Sequence, residues 1–252
     1  MKKYRLLCCE IFYREVCALA AESPAKCDVE FLPKGLHDLG VEKMMPRLQE
    51  RIDAVKKGDA DALLLGYGLC NNGIAGLTAR EIPIVVPRAH DCITLFMGSR
   101  QRYREYFNAH PGTYYRTTGW LERSDSAIEG EQTVSQRLGM AFQYEELAAK
   151  YGEENAKYII ETIGDPVAHY DRITFIRMGL ACEDAFRDKA KKEAEEKGWQ
   201  FEEIQGSMEM LRKLIFGEWD DDFLIVPPGK RIVARYAAVS YTHLTLPTIY
   251  SV

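Results

Sequence analysis

The chain has 252 residues, of which 46% are hydrophobic, and its formal net charge is −5. This length allows one large domain or two modest ones, and no block of Lys or Arg is present that would follow a phosphate backbone, so we expect no nucleic-acid partner. No run approaches the roughly 20 apolar residues of a membrane span, and Met1 to Lys3 lead into a strand instead of a signal-peptide core, so we expect no membrane partner and a cytoplasmic location.

The first half alternates predicted strands with predicted helices. Such alternation is typical of a parallel sheet with right-handed crossovers. The strands are expected at residues 4–9, 29–32, 62–65 and 82–86, and the helices at 12–21, 41–57 and, briefly, near Ile74.

The second half repeats this order, with strands at 172–177, 199–204 and 222–226 and helices at 182–197 and 208–216. We interpret the repetition as a degenerate duplication, although any α/β protein shows a similar order. The predicted fold class is therefore α/β, with two Rossmann-like lobes, parallel sheets and a cleft between their strand ends. The expected units are an N-terminal lobe at 1–110, an aromatic and helical insertion at 111–171 and a C-terminal lobe at 172–239.

The insertion holds a long predicted helical region at 133–162, which we interpret as scaffold or lid. The segment 240–252 has no formal charge and no strand or helix periodicity. It resembles translated sequencing-adapter DNA, so we expect it to be a non-native tail.

Seven cysteines in a cytoplasmic protein are expected to be mostly reduced, which favours metal binding or thiolate chemistry over disulfides. Three cysteine-bearing segments follow predicted strands: Cys9 ends the first, Cys70 follows the third, and His90 and Cys92 follow the fourth. Catalytic and binding groups of a doubly wound sheet lie beyond the carboxyl ends of its strands, so these side chains should face one crevice. Cys8 alternates with Cys9 on the strand and should point into the core.

A glycine-rich loop follows the third strand and reads Gly66-Tyr-Gly-Leu-Cys-Asn-Asn-Gly73. If it opens a helix, amides near Gly68 and Asn71 could bind an anion and lower the pKa of the Cys70 thiol. The alternative is an ordinary strand-to-helix turn with a buried cysteine. The loop lacks the spacing of dinucleotide-binding and nucleotide-binding motifs.

A dense polar motif follows the fourth strand and reads Arg88-Ala-His-Asp-Cys92. His90 and Cys92 could ligate a metal, Asp91 could orient the imidazole or cap a helix beginning at Ile93, and Arg88 could bind an anion. The alternative is that Asp91 only caps the helix and His90 is a surface residue. In the second half, Arg177 ends a strand and could also hold an anionic group, whereas Cys182 is a weaker candidate for the far side of the cleft.

Four segments together resemble an uncharacterised bacterial and archaeal family, a domain of unknown function. They are Gly-Leu-Cys70-Asn-Asn-Gly, Val-Pro-Arg-Ala-His90-Asp-Cys-Ile-Thr-Leu-Phe-Met-Gly-Ser, Gly119-Trp-Leu-Glu and Asp222-Phe-Leu-Ile-Val-Pro-Pro-Gly. Relatives of this kind are often encoded beside corrinoid-dependent methyltransferases. The resemblance implies a role around one-carbon metabolism, with a corrinoid protein or a methyltransferase as partner, and it supplies no mechanism.

The first functional hypothesis is a metal-binding protein in which Cys9, Cys70, His90 and Cys92 hold zinc or an iron–sulfur cluster. It would act on a small anionic or methylated substrate in methyl transfer or in corrinoid-protein maintenance. Cys70, His90 and Asp91 are the candidate catalytic residues.

Two alternatives remain open. One is a cofactor-free enzyme, because Cys70-Asn71-Asn72 resembles the Cys-Asn-Thr turn of aspartate and glutamate racemases. The matching turn of the second lobe, Pro227-Pro228-Gly229, has no second cysteine, which disfavours proton transfer between two thiols, although Cys182 could substitute. The other is a non-catalytic module that binds an anion through Arg88 and Arg177.

Overall fold

The computed structural model describes residues 1–70, 72–123, 152–155, 169–237 and 239–245, and their side chains up to Ala234. In chain order the elements are β1 (Lys3–Cys9), α1 (Tyr13–Glu22), β2 (Lys26–Leu32), α2 (Val41–Ala54), β3 (Ala62–Gly66), β4 (Ile84–Pro87), α3 (Cys92–Met97), α4 (Arg100–Ala109), β5 (Thr113–Arg116), α5 (Thr118–Glu122), β6 (Arg172–Arg177), α6 (Glu183–Lys197), β7 (Gln200–Gln205), α7 (Glu209–Phe216), β8 (Phe223–Val226), β9 (Arg231–Ala237) and β10 (Val239–Thr245). Short 3₁₀ helices cover Glu10–Phe12 and Lys34–Leu39.

The larger sheet contains five strands in the order β2-β1-β3-β4-β8. The first four are parallel, and all five coincide with apolar runs recognised in the sequence. β3 and β4 are buried along their whole length, as expected for central strands covered on both faces. The carboxyl ends of β1, β3 and β4 consequently lie side by side.

Helix α2 buries a single face. On α2 the buried side chains are Met44, Leu48 and Ile52, which recur every four residues and form a single apolar stripe. Within the described ranges, none of the helices combines the length and the apolar composition that a bilayer crossing requires.

The smaller sheet contains three parallel strands in the order β5-β6-β7. Ile173 and Phe175 of β6 form a separate small core with Ala190 and Ala194 of α6. The predicted α/β class is confirmed, with two mostly parallel sheets of five and three strands. The aromatic stretch of the expected insertion supplies a strand, β5, to this sheet.

The last strand predicted from the sequence, β8, departs from the expected duplication. β8 runs antiparallel to β4 and belongs to the larger sheet, so the strands of 172–239 do not form one sheet and the larger sheet is not purely parallel. Without β8, the buried strand β4 would present unpaired backbone groups at the sheet edge. The two sheets therefore differ in strand number and pairing.

Two other expectations differ from the structure. Residues 72–76 form turns, so the short helix predicted near Ile74 is absent from this stretch. β10 overlaps the segment 240–252, which was expected to lack strand structure, and pairs antiparallel with β9 in a separate two-stranded sheet. The helical region expected at 133–162 lies almost entirely outside the described residues.

Candidate functional site: a cysteine-lined cavity

A cavity of about 160 Å³ lies beyond the carboxyl ends of β1, β3 and β4. Cys9 is the last residue of β1, Cys70 follows β3, and Cys92 begins α3 after β4. All three thiols line the cavity, together with His90 and Asp91. The structure thus brings together the four residues expected to bind a metal and the three expected to be catalytic. The remaining lining residues are Ile11, Phe12, His37, Tyr67, Gly68 and Trp120.

The two neighbouring cysteines of β1 point to opposite faces, as the strand alternation predicts. Cys9 lines the cavity, whereas Cys8 is fully buried and donates a hydrogen bond to the Gly66 carbonyl at 3.6 Å.

Backbone hydrogen bonds join the loops that carry Cys70 and His90. The Leu69 N–H donates to the Ala89 carbonyl at 2.8 Å, and the Cys70 N–H donates to the His90 carbonyl at 3.1 Å. Cys70 itself has a φ of 45°, in the left-handed region that non-glycine residues seldom adopt. Such backbone strain occurs preferentially at functional sites, where the surrounding structure holds it in place.

Burial raises the pKa of all three cavity thiols. Desolvation raises the pKa of Cys9 to about 12, although a backbone hydrogen bond from Ile11 and the Lys34 ammonium oppose the change. Desolvation also raises the pKa values of Cys70 and Cys92; Cys9 raises that of Cys70 further, and Cys70 and Cys9 raise that of Cys92. The expectation that helix amides lower the pKa of Cys70 is therefore wrong, because turns and not a helix follow β3 and the thiol is buried.

Asp91 connects the cavity to the first turn of α3. Its carboxylate caps the helix by accepting from the Thr94 N–H at 3.1 Å, as predicted. It also pairs with Nδ1 of His90 at 2.9 Å and accepts from the Tyr103 hydroxyl at 2.8 Å. Burial raises the pKa of Asp91, but the bonds from His90 and Tyr103 outweigh it and lower the pKa overall. The hydrogen bond between His90 and the Asp91 carboxylate raises the pKa of His90.

Trp120 of α5 also lines the cavity. Thr117 caps α5 by accepting from the Trp120 N–H. The preceding Gly119 lies directly on the Ile11 carbonyl oxygen, and a Cβ at position 119 would overlap it. The glycine of the Gly119-Trp120 pair is thus explained by close packing of α5 against the 3₁₀ helix Glu10–Phe12 that follows β1.

His37 is a cavity residue that the sequence analysis missed. Its Nδ1 lies 2.5 Å from the Lys34 carbonyl oxygen, and its Nε2 lies 3.0 Å from Oδ1 of Asp38. The ring packs edge-on against Trp120 with centroids 5.8 Å apart. A signal was present in the sequence, because the dipeptide His-Asp occurs both at His37-Asp38 and at His90-Asp91.

Tyr67 and Lys34 were also missed. Tyr67 lines the cavity and is 3% exposed, and its hydroxyl has no hydrogen-bond partner in the described part of the chain. Lys34 is 4% exposed; its ammonium donates to the carbonyls of Trp120 and Arg123 and lies 5.0 Å from the centroid of the Trp120 ring.

Three other residues predicted to belong to the site lie outside the cavity. Arg88 donates to the Phe223 carbonyl and so ties the end of β4 to β8. Arg177 forms ion pairs with Asp184, Glu183 and Glu203. Neither arginine lines the cavity, nor does Cys182, which is exposed. Gly68 lines the cavity, and Asn71 lies outside the described residues.

The donor set of the cavity suits a soft metal, but its present arrangement is not a closed metal site. Among the residues that the structure describes, no three His, Cys, Asp or Glu side chains are grouped so that they could hold a metal ion. The cysteines would have to turn toward an ion in order to ligate it.

The fold and the cavity define an α/β protein with a thiol-lined pocket at the carboxyl edge of a mostly parallel sheet. The chain belongs to the family described as protein of unknown function (DUF1638), whose model matches residues 31–215. The family membership expected from the motifs is confirmed. The matched region contains Cys70, His90, Cys92 and Trp120 and begins after Cys9. Comparison with curated proteins found no match, and comparison with solved structures also found none.

Proposed function

We propose that the cavity binds a soft metal ion through the thiolates of Cys9, Cys70 and Cys92, and that this ion is zinc. The observation that supports this is the convergence of three thiols from three separate segments on one small cavity. Sulfur ligands select zinc, copper(I) and iron–sulfur clusters over hard cations. A cluster commonly takes four cysteine ligands, so three cavity cysteines favour zinc.

The raised pKa values of the thiols fit a site in which the cysteines become thiolates only when a cation binds. Burial disfavours the thiolate of each cysteine, and neighbouring sulfurs disfavour it further at Cys70 and Cys92, so the thiols keep their protons at neutral pH. A cation among them reverses that balance, so binding releases protons and the affinity rises with pH. Rotation about χ1, which moves a side chain between staggered wells, brings the sulfurs toward the ion.

We further propose that the site acts in one-carbon or methyl-group metabolism, in methyl transfer or corrinoid-protein maintenance. Zinc with three protein ligands keeps one coordination position open and can activate a thiol as a methyl acceptor. In this chain, Asp91 holds Nδ1 of His90, and the imidazole lines the cavity with its Nε2 as the remaining proton-transfer atom. A corrinoid protein or a methyltransferase is the proposed partner.

Elemental analysis of anaerobically purified protein tests the metal proposal. The wild-type chain should carry one zinc ion, and Cys9→Ser, Cys70→Ser and Cys92→Ser should each weaken zinc binding by at least roughly tenfold. Cys17→Ser and Cys182→Ser are matched controls, because both thiols are exposed and neither lines the cavity. Wild-type zinc content in the three cavity variants would contradict the proposal.

A second candidate is a cofactor-free enzyme, favoured by the strained backbone of Cys70 beside His90. In it His90 would exchange a proton with a substrate carbon while Cys70 acts as the second acid–base group. Solvent deuterium should then enter amino-acid substrates in wild-type protein and not in Cys70→Ser. Cys182→Ser should retain the exchange, because Cys182 lies outside the cavity. The absence of exchange across an amino-acid panel counts against this candidate.

A further inference from the structure

The Tyr67 hydroxyl is a buried donor in the wall of the cavity, and none of the described residues accepts a hydrogen bond from it. Burial raises the pKa of Tyr67 well above its usual value, and the nearby Cys9, Cys8, Cys70 and Glu10 side chains raise it further, so the hydroxyl keeps its proton. A buried hydroxyl without a protein partner is rare, and it needs an acceptor on a bound molecule.

Two histidines of the cavity are already paired with carboxylates. The Nε2 atom of His37 lies 3.0 Å from Oδ1 of Asp38, and the Nδ1 atom of His90 lies 2.9 Å from Oδ2 of Asp91. Each pair joins a positive charge, when the ring is protonated, to a negative one. Neither pair therefore presents an excess of positive charge to a ligand.

Glu10 and Lys34 place opposite charges at the end of β1. The Glu10 carboxylate accepts a hydrogen bond from the backbone N–H of Lys34 at 2.9 Å. Burial has the largest effect on the pKa of Cys9, but of these two charges Glu10 raises it and Lys34 lowers it. Glu10 also raises the pKa of Tyr67, so an anion bound to this hydroxyl would lie in the field of a like charge.

The described charges around the cavity thus favour a neutral ligand, because an ion without an opposite charge is costly to bury. The ligand must also accept a hydrogen bond, which an ammonium group cannot do. Ile11, Phe12 and Trp120 add apolar surface to the same cavity. Its volume is about 160 Å³. A cavity of roughly 150 Å³ holds a molecule of the size of benzene.

We propose that the ligand of this cavity is a small neutral carbonyl compound with an apolar body, whose oxygen accepts the hydrogen bond of the Tyr67 hydroxyl. The inference rests on the proposed function, since it names the substrate class of the same site. A carbonyl oxygen accepts hydrogen bonds and brings no donor that would need a partner of its own. Zinc with an open coordination position can polarise such an oxygen.

An NMR titration of the metal-free full chain with cyclopentanone tests this inference. Methylenecyclopentane has the same shape without the acceptor, and cyclopentanecarboxylate and cyclopentylammonium are the charged analogues. Cyclopentanone should perturb the Trp120 indole resonance and bind more tightly than either ion. Tyr67→Phe should reduce the preference for cyclopentanone over methylenecyclopentane by roughly tenfold, because the apolar contribution cancels in this comparison and the hydrogen bond remains.

The matched control is Tyr115→Phe. The Tyr115 hydroxyl is also buried with no partner among the described residues, but Tyr115 does not line the cavity, so the preference should be unchanged. Thermal unfolding of each variant verifies that it is folded. An unchanged preference in folded Tyr67→Phe would show that the hydroxyl serves no carbonyl ligand. That result, no cyclopentanone binding by wild type, or tighter binding of either ion would each overturn the inference.

Zinc titration of the same preparations separates the two proposals. Tyr67→Phe should keep the wild-type zinc affinity, because Tyr67 is not a proposed metal ligand, whereas Cys70→Ser should lose it. Cyclopentanone binding without zinc binding overturns the metal proposal alone. Zinc binding without cyclopentanone binding overturns the carbonyl proposal alone.

Discussion

The α-carbon of Gly68 lies directly against the backbone of Asp91. A Cβ at position 68 would come within 2.7 Å of the Asp91 Cα, closer than nonbonded carbon atoms approach. This contact sets the spacing between the loop that carries Cys70 and the loop that carries His90. The glycine is required for this close approach of two backbones.

Gly68→Ala should therefore separate the two loops and destabilise the protein by about 1–3 kcal/mol, the usual cost of overpacking. Binding of any cavity ligand should weaken as well. Urea unfolding and zinc titration measure the two effects. Gly58→Ala is the control, because a Cβ there meets nothing within 4 Å and only its φ of 98° is strained. If Gly68→Ala binds zinc as tightly as wild type, the spacing of these loops does not matter for the site.

Asp91→Asn should lower the pKa of His90. The hydrogen bond from His90 to the Asp91 carboxylate raises that pKa, and burial of the imidazole opposes it. Once the carboxylate is removed, burial of the imidazole still lowers the pKa of His90, and the carboxylate no longer opposes it. The raised pKa also means that the pair stabilises the fold below the ordinary pKa of histidine, near 6.5, and that this contribution disappears as pH rises through the pKa of the folded state. NMR titration of the His90 ring measures the change.

Asp38→Asn is the matched control for this measurement, because it removes the neighbouring carboxylate of His37 instead. It should leave the His90 titration unchanged. A His90 pKa that is the same in Asp91→Asn and in wild type would show that the carboxylate does not control the imidazole.

Lys34→Met should destabilise the fold by about 2–3 kcal/mol, because the buried ammonium satisfies two carbonyls at the end of α5. The variant should also raise the pKa of Cys9 further, since the ammonium lowers it in the wild type. Urea unfolding measures the first effect, and the pH dependence of Cys9 alkylation measures the second. Lys56→Met is the control: its ammonium also donates to a carbonyl, that of Asp53, but at an exposed position. Equal losses in the two variants would be inconsistent with a special role for Lys34.

Glu15 should make stability depend on pH. It is fully buried on α1, and among the described residues its carboxylate oxygens have no partner outside the backbone of Glu15 itself, whose hydrogen bond only partly opposes the effect of burial. Desolvation raises its pKa to about 7, helped by Glu183 and Glu122. The folded state therefore binds the proton more tightly than the unfolded state, and stability falls as pH rises from about 4.5 to about 7.

The expected loss over this interval is roughly 3 kcal/mol, from 1.36 kcal/mol for each pKa unit. Glu15→Gln should flatten this part of the profile and stabilise the protein at pH 8, whereas Glu22→Gln, at an exposed position on the same helix, should leave it unchanged. Urea unfolding at a series of pH values provides the comparison. A steep fall that persists in Glu15→Gln would assign the dependence to another group.

The larger sheet and the meeting of the three thiols could be predicted from local sequence patterns. Apolar runs define β1, β3 and β4, and parallel pairing forces their carboxyl ends to the same edge. Strand alternation correctly selected Cys9 over Cys8 for the cavity. The N-cap role of Asp91 followed from a helix-capping residue placed immediately before an apolar segment.

Features that depend on distant contacts could not be predicted in this way. The pairing of β8 with β4 needs the three-dimensional position of an open sheet edge, which no local pattern encodes. The pKa of Cys70 depends on burial by other segments of the chain. Amides at a helix start predicted a lowered pKa, whereas burial raises it. His37 and Tyr67 reach the cavity only through packing against Trp120 and the strand ends.

The return of β8 to β4 makes the larger sheet discontinuous in the chain, since β5 to β7 lie between β4 and β8 in sequence. A fragment that stops after α4 would lack both the strand that completes this sheet and α7. Conversely, a protease cut within the smaller sheet's segment would leave two pieces whose strands still share hydrogen bonds across the nick. The two pieces should therefore copurify and reconstitute from separate expression, a behaviour usually associated with split proteins.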